Sequence, residues 1–304
     1  MQPSHAIPPR LVRTIVDLYA DDGVAWLERL PDTIADYARR WSLTVLPPFP
    51  NLSYNYVAPA VRADGMELVL KLGVPDPALE TEGAALRFYE GRGSAMLIEA
   101  DPAGGALLIE RLRPGTLLAE LDDDEQATAI AAEVMRQLWR PAPPQHSFPT
   151  VADWADGLER LRAEFDGGCG PFPPRLVELA ERLFAELLGS MAAPVLLHGD
   201  LHHENILAAT RQPWLAIDPK GIVGEPAYEV GALLRNRLDA APDLRRLQAR
   251  RLDQLAEALG LDRQRLLSWS VAQAVLSAWW SYEDHGRGWE PMVAYAEVLA
   301  GLMS

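Results

Sequence analysis

The sequence predicts an α+β protein in two parts: a small strand-rich lobe over residues 1–110 and a larger, mainly helical lobe over 116–304, joined by a hinge at 111–115. Three observations carry this. Apolar residues change from helical spacing over 11–41 to strand-like alternation over 42–73. Two further strand-like runs, 95–100 and 106–110, close the first part. From Leu117 onward the spacing is helical, apart from one strand and loop core at 195–218. A chain of 304 residues is long enough for two lobes and a large buried core.

Taken in order, Leu11, Ile15, Leu18, Trp26, Leu27, Leu30, Ile34, Tyr37 and Trp41 mark helical segments, with expected breaks at Asp21-Asp22-Gly23 and Pro31-Asp32. Residues 43–46 are β-prone and 53–58 alternate. The turn Ala63-Asp64-Gly65-Met66 then leads into 67–72, so a hairpin presents Lys71 on its second strand. Pro75-Asp76-Pro77 starts a helix carrying Glu82, Leu86 and Tyr89 on one face, and Gly91-Arg92-Gly93 ends it. A turn at 101–105 joins the next two strands, and Arg111-Leu112-Arg113-Pro114-Gly115 reads as a linker with a fixed bend.

A formal charge of −15, from 43 acidic against 28 basic residues, repels nucleic acid and anionic membranes, so neither is expected as a partner. The charge would attract cationic small molecules; that it merely keeps the protein soluble is the alternative reading. No apolar run approaches the roughly 20 residues that span a bilayer, and MQPSHAIPPRLV has neither the basic nor the apolar region of a signal peptide. The single cysteine, Cys169, forms no internal disulfide and suits a reducing compartment; the cytoplasm is the expected location.

The chemistry concentrates in 195–218. An apolar run enters His198-Gly199-Asp200; Asn205 follows five residues after that aspartate, and Asp218 closes a second apolar run. The short turn at 209–213 lets 206–208 and 214–217 pair as a hairpin, which sets Asn205 and Asp218 side by side as oxygen ligands for a hard cation such as Mg²⁺. Asp200, on the preceding loop, reaches the same point and can take the proton of a hydroxyl attacking a γ-phosphate. His198, His202 and His203 lack the further His or Cys ligands that zinc requires; His198 is expected to fix the loop by hydrogen bonding.

A phosphoryl-transfer site also needs a strand lysine and a helix carboxylate. Lys71 is one of only two lysines, the other being Lys220, and it lies among apolar neighbours where a lone ammonium is costly. Glu82 is its expected partner, with Glu80 one step off that helix face; the pair could hold the α- and β-phosphates.

These residues, in HGDLHHEN followed by AIDPKGIVGEPAYEVG, resemble the aminoglycoside phosphotransferase superfamily, and within it the streptomycin 6-kinase and hydroxyurea phosphotransferase family. The likeness covers nearly the whole chain. It implies a protein-kinase-like bilobal fold, ATP as donor, Mg²⁺, and a small-molecule hydroxyl as acceptor, an aminoglycoside such as streptomycin being one candidate. It further implies Asp200 as base, Asn205 and Asp218 on the metal, Lys71 on phosphates, and the backbone of Glu110 and Leu112 on adenine. No G-x-G-x-x-G precedes Lys71, so Ser53 and Asn55 are expected to cover the phosphates. Asp218-Pro219-Lys220-Gly221 replaces D-F-G, leaving no phenylalanine switch; Lys220 is expected to face phosphate or acceptor, a surface position being the alternative. Glu229 stands where relatives carry a bracing aspartate and is expected to be structural.

The acceptor residues are sought in 279–286, where Trp280, Glu283 and Asp284 could stack on or pair with a cationic ligand; a packed helix face with a solvated acidic end is the competing account. A kinase of a cellular metabolite would carry the same core. A protein kinase would need an A-P-E-like segment and a long activation loop after Asp218, which are absent from the sequence. A non-catalytic nucleotide-binding protein would be expected to lose Lys71, Asp200, Asn205 or Asp218, and all four are present.

Overall fold

The computed structural model describes residues 7–238 and 242–303 and divides into two compact units, Met1–Gly115 and Thr116–Ser304. In the first unit the chain runs α1 (Pro9–Arg40), β1 (Leu43–Val45), β2 (Tyr56–Arg62), β3 (Glu67–Leu72), α2 (Pro77–Tyr89), β4 (Leu97–Asp101) and β5 (Ala106–Glu110). The five strands form one antiparallel sheet in the order β1-β2-β3-β5-β4. Strand alternation assigns its two faces. Leu68, Leu70 and Leu72 of β3 join Leu11, Ile15, Leu30 and Ile34 of α1 in one core. Lys71 has the opposite parity and is paired in register with Leu107 of β5. On that face lies α2, whose Gly83 is close enough that an added Cβ would stand 3.1 Å from the Leu107 side chain.

The long first helix corrects the expected breaks. Pro31 lies inside α1, and the only non-helical residue within it is Ala20, at φ 45° and ψ −125°. The kink therefore falls just before Asp21. Gly23 permits it, because a Cβ there would lie 2.5 Å from the Ile15 carbonyl oxygen.

Expected strand bounds also shift. Strand β2 begins at Tyr56, leaving Ser53 and Asn55 on the preceding loop. Beyond Glu110 the expected hinge is partly a strand, β6 (Pro114–Leu117), which carries the boundary between the units.

The second unit continues with α3 (Asp124–Leu138), β7 (Arg140–Pro141), α4 (Val151–Glu164), α5 (Pro174–Gly189), β8 (Val195–Leu197), β9 (Ile206–Ala209), β10 (Trp214–Ala216), β11 (Ile222–Gly224), α6 (Pro226–Leu234), α7 (Leu244–Leu259), α8 (Arg263–His285) and α9 (Glu290–Ala300). Strands β6, β7 and β11 were not anticipated; they are short and apolar or proline-bearing, and tertiary pairing decides them. They complete two three-stranded sheets, β10-β9-β6 and β11-β8-β7. Helix α8 is the axis of this unit, with residues 266–276 buried without interruption. A helix buried all round must be surrounded, and α4, α5, α6, α7 and α9 pack on it.

Candidate active site

In the first unit the Lys71 ammonium meets the Glu82 carboxylate at 2.6 Å, with the two residues only 5% and 6% exposed. Burying either charge singly would be costly, so each fixes the other. Asn55 folds back over the end of the lysine strand. Gly73 has room for it only as glycine, since a Cβ would lie 2.3 Å from Asn55 Oδ1. Ser53 is half-buried on the same loop. Glu110 ends β5 with its carboxylate accepting from the Met96 N–H at 3.0 Å, and Leu112 is buried two residues on.

The second unit gathers Asp200, Asn205 and Asp218. The register Ala216↔Ile206 pairs β9 with β10, and the Ile217 N–H donates to the Asn205 carbonyl at 2.9 Å, so Asp218 leaves the hairpin next to Asn205. The Asn205 amide donates through Nδ2 to the Asp200 carbonyl at 2.9 Å. That bond fixes which end of the amide is which, leaving Oδ1 as the acceptor end. Asp218 sits in the left-handed region at φ 64°, which an aspartate tolerates better than most residues. Lys220 Nζ stands 4.0 Å from Asp218 Oδ2.

The loop is held from inside. Buried His198 directs Nε2 at the Ile217 carbonyl, 2.8 Å away, and accepts the Asp200 N–H at Nδ1, 3.2 Å away. This pairing requires a neutral ring with the proton on Nε2, and burial lowers its pKa to about 4. His198 thus performs the bracing expected of it. Glu229 in α6 accepts the N–H groups of His198 at 2.6 Å and Gly199 at 2.9 Å. Gly199 has φ 83°, and a Cβ there would meet Ile222, Trp154 and Lys220 within 3.3 Å. Only glycine fits this turn.

Asp200 carries a partner that sequence reasoning missed. Arg235 Nη2 donates to its Oδ1 at 3.0 Å, while Oδ2 lies 3.8 Å from His202 Nε2. Burial would raise the Asp200 pKa; Arg235, His202 and Lys220 more than offset that and leave it below the usual carboxylate value. The available signal was positional, a cation directly after an apolar helix, where the helix C-terminus favours positive charge.

Of the expected acceptor residues, Trp280 packs edge-on against Trp154 with ring centroids 5.3 Å apart, and Trp154 also lies over Gly199. Trp154 is the second site residue the sequence did not single out. Glu283 is engaged by Arg160 through bonds of 2.7 and 3.0 Å. Asp284 has its carboxyl pushed up, chiefly by desolvation. Among the described residues no group of three or more His, Cys, Asp or Glu could hold a metal ion. An amide oxygen and one carboxylate fit a cation that keeps waters and phosphate oxygens as its other ligands, as Mg²⁺ does.

The chain as a whole is similar to known proteins. Residues 41–285 match the family of aminoglycoside/hydroxyurea antibiotic resistance kinases. A streptomycin 6-kinase from Streptomyces glaucescens is 33% identical over 97% of both chains. A hydroxyurea phosphotransferase from Kitasatospora aureofaciens is 36% identical over 97% of this chain and 86% of its own. Among solved structures, choline kinase LicA from Streptococcus pneumoniae aligns with a TM-score of 0.65 at 12% identity, covering 90% of this chain and 99% of that one, and LicA has also been solved with AMP. The chain belongs to the aminoglycoside/hydroxyurea antibiotic resistance kinase family and has its protein-kinase-like fold. It is an ATP-dependent small-molecule kinase. Among the described residues no helix is long and apolar enough to cross a membrane.

Proposed function

We propose that this kinase transfers the γ-phosphate of ATP to a hydroxyl of a cationic small molecule, with Asp200 receiving the hydroxyl proton. The supporting observation is the Asp200 loop, whose backbone is pinned by Glu229 and His198 and whose carboxylate is held ionised. Asn205 Oδ1 and Asp218 would hold Mg²⁺, which when bound neutralises phosphate charge. Lys71, set by Glu82, binds the α- and β-phosphates; Ser53 and Asn55 cover them, and the backbone of Glu110 and Leu112 meets adenine. Asp200 orients the acceptor oxygen and takes its proton late, because a carboxylate of lowered pKa is a weak base. Lys220 and Trp280 border the acceptor, with Glu283 and Asp284 supplying the negative charge. The net charge of −15 favours a cationic acceptor. The cytoplasm, which supplies ATP, is the proposed location.

An antibiotic acceptor such as streptomycin is favoured by the 33% identity to a streptomycin 6-kinase. Incubating the protein with Mg-ATP and a panel of streptomycin, other aminoglycosides, hydroxyurea and amino alcohols should give one phosphorylated product by ³¹P NMR. ADP release at background with every member would overturn the antibiotic assignment. Asp200→Asn is expected to lower kcat by about 10³-fold with ATP affinity unchanged; retained turnover would remove Asp200 from its role.

A further inference from the structure

We propose that Arg235 is a positioning residue: it fixes the Asp200 carboxylate so that Oδ2 meets the acceptor hydroxyl, and Gln273 and Gly231 hold it in place. The inference rests on the reading of Asp200 as the group that receives the hydroxyl proton.

The guanidinium is used as a clamp between two helices. Nη2 donates to Asp200 Oδ1 at 3.0 Å and Nη1 to Gln273 Oε1 at 2.6 Å. Gln273 is buried on α8, so its amide cannot follow a wandering arginine. Gly231 is what admits that amide, since a Cβ there would lie 2.0 Å from Gln273 Oε1. Arg235 occupies the C-cap of α6, where its backbone N–H bonds to the Gly231 carbonyl. The same helix holds the backbone of His198 and Gly199 through Glu229. One buried helix therefore restrains the loop twice, at its peptide groups and at its reacting side chain.

The purpose follows from rotamer freedom. An aspartate on a loop has two torsions, and pinning the backbone leaves both open. Anchoring Oδ1 selects one orientation and turns Oδ2 outward as the oxygen not engaged by Arg235. Misplacing a reacting group by about 1 Å costs about 100-fold in rate. A planar fork suits this task because its two nitrogens reach two acceptors with fixed relative direction.

The test uses Arg235→Met, Arg235→Lys and Gln273→Leu in the full chain, assayed with an acceptor that the parent phosphorylates and checked for folding by thermal unfolding. Arg235→Met should lower kcat by about 100-fold with the KM of ATP and acceptor little changed. Arg235→Lys keeps one charged donor and should recover about tenfold of that loss. Gln273→Leu should give a smaller loss that does not add to that of Arg235→Met. A kcat within threefold of the parent in Arg235→Met, or a raised acceptor KM with kcat intact, overturns the proposal. If the parent phosphorylates no acceptor, the reading of the reaction fails, and crystal structures decide the positioning role separately. An Asp200 carboxylate that moves in Arg235→Met but keeps its place in Arg235→Lys supports the clamp; one that stays put in both ends it.

Discussion

Two buried glutamates, one in each unit, are neutralised in different ways. In the sheet unit Glu82 faces the Lys71 ammonium at 2.6 Å, charge against charge. In the helical unit Glu229 faces two backbone N–H groups, so partial dipoles stand where the lysine stands in the other unit. On the proposed assignment, the first arrangement presents a cation to a ligand. The second presents nothing and fixes a loop. On that assignment one glutamate serves binding and the other architecture, although both are almost fully buried.

The largest expected effect breaks the charged pair. Lys71→Met should abolish turnover and destabilise the protein by about 3–5 kcal/mol, because a buried carboxylate loses its counter-ion. Replacing both, Lys71→Met with Glu82→Leu, should restore stability in urea unfolding and leave turnover absent. If the double replacement recovers activity, the lysine is not a phosphate ligand.

The next effect concerns Glu229. Burial pushes its carboxyl from 4.5 up to about 7, against the pull of its backbone donors and the Trp139 indole. The folded state then retains a proton that the unfolded chain has already released between those values. Stability from this group is full below the unfolded value and is lost as pH rises through the folded one, by about 3 kcal/mol in all. Urea unfolding across pH 4–8 should show that decline, and Glu229→Gln should flatten it. An unchanged slope in the variant would place the proton elsewhere.

The smallest effect contrasts the buried pair with a surface one. Arg160 and Glu283 are partly solvated, so Glu283→Gln should change stability by less than about 1 kcal/mol. A raised acceptor KM in that variant would make Glu283 a ligand for the cation; an unchanged KM would confine it to pairing with Arg160.

The same contrast explains what could be read before folding. Lys71 was legible because a lysine in an apolar strand demands an acid, and the following helix offers one at Glu82. Asp200, Asn205 and Asp218 were legible because a hairpin converts their spacing into proximity. Arg235 and Gln273 were not, since their positions are 38 residues apart and neither has a local reason to find the other. Trp154 meets Gly199 from a helix more than forty residues earlier. The kink in α1 was placed at Asp21-Asp22-Gly23 from composition, whereas the strained residue is Ala20 and Pro31 continues the helix.

By itself the sequence determined the two-part α+β architecture, the lysine strand, the hairpin and which side chains are candidate oxygen ligands, because periodicity, turn chemistry and scarce charges are local properties. Tertiary structure decided which buried acid would pair with a cation and which with peptide groups. It decided too that an arginine at a helix end would clamp Asp200, since packing α6 against α8 brings them together and no periodicity records which helices will touch.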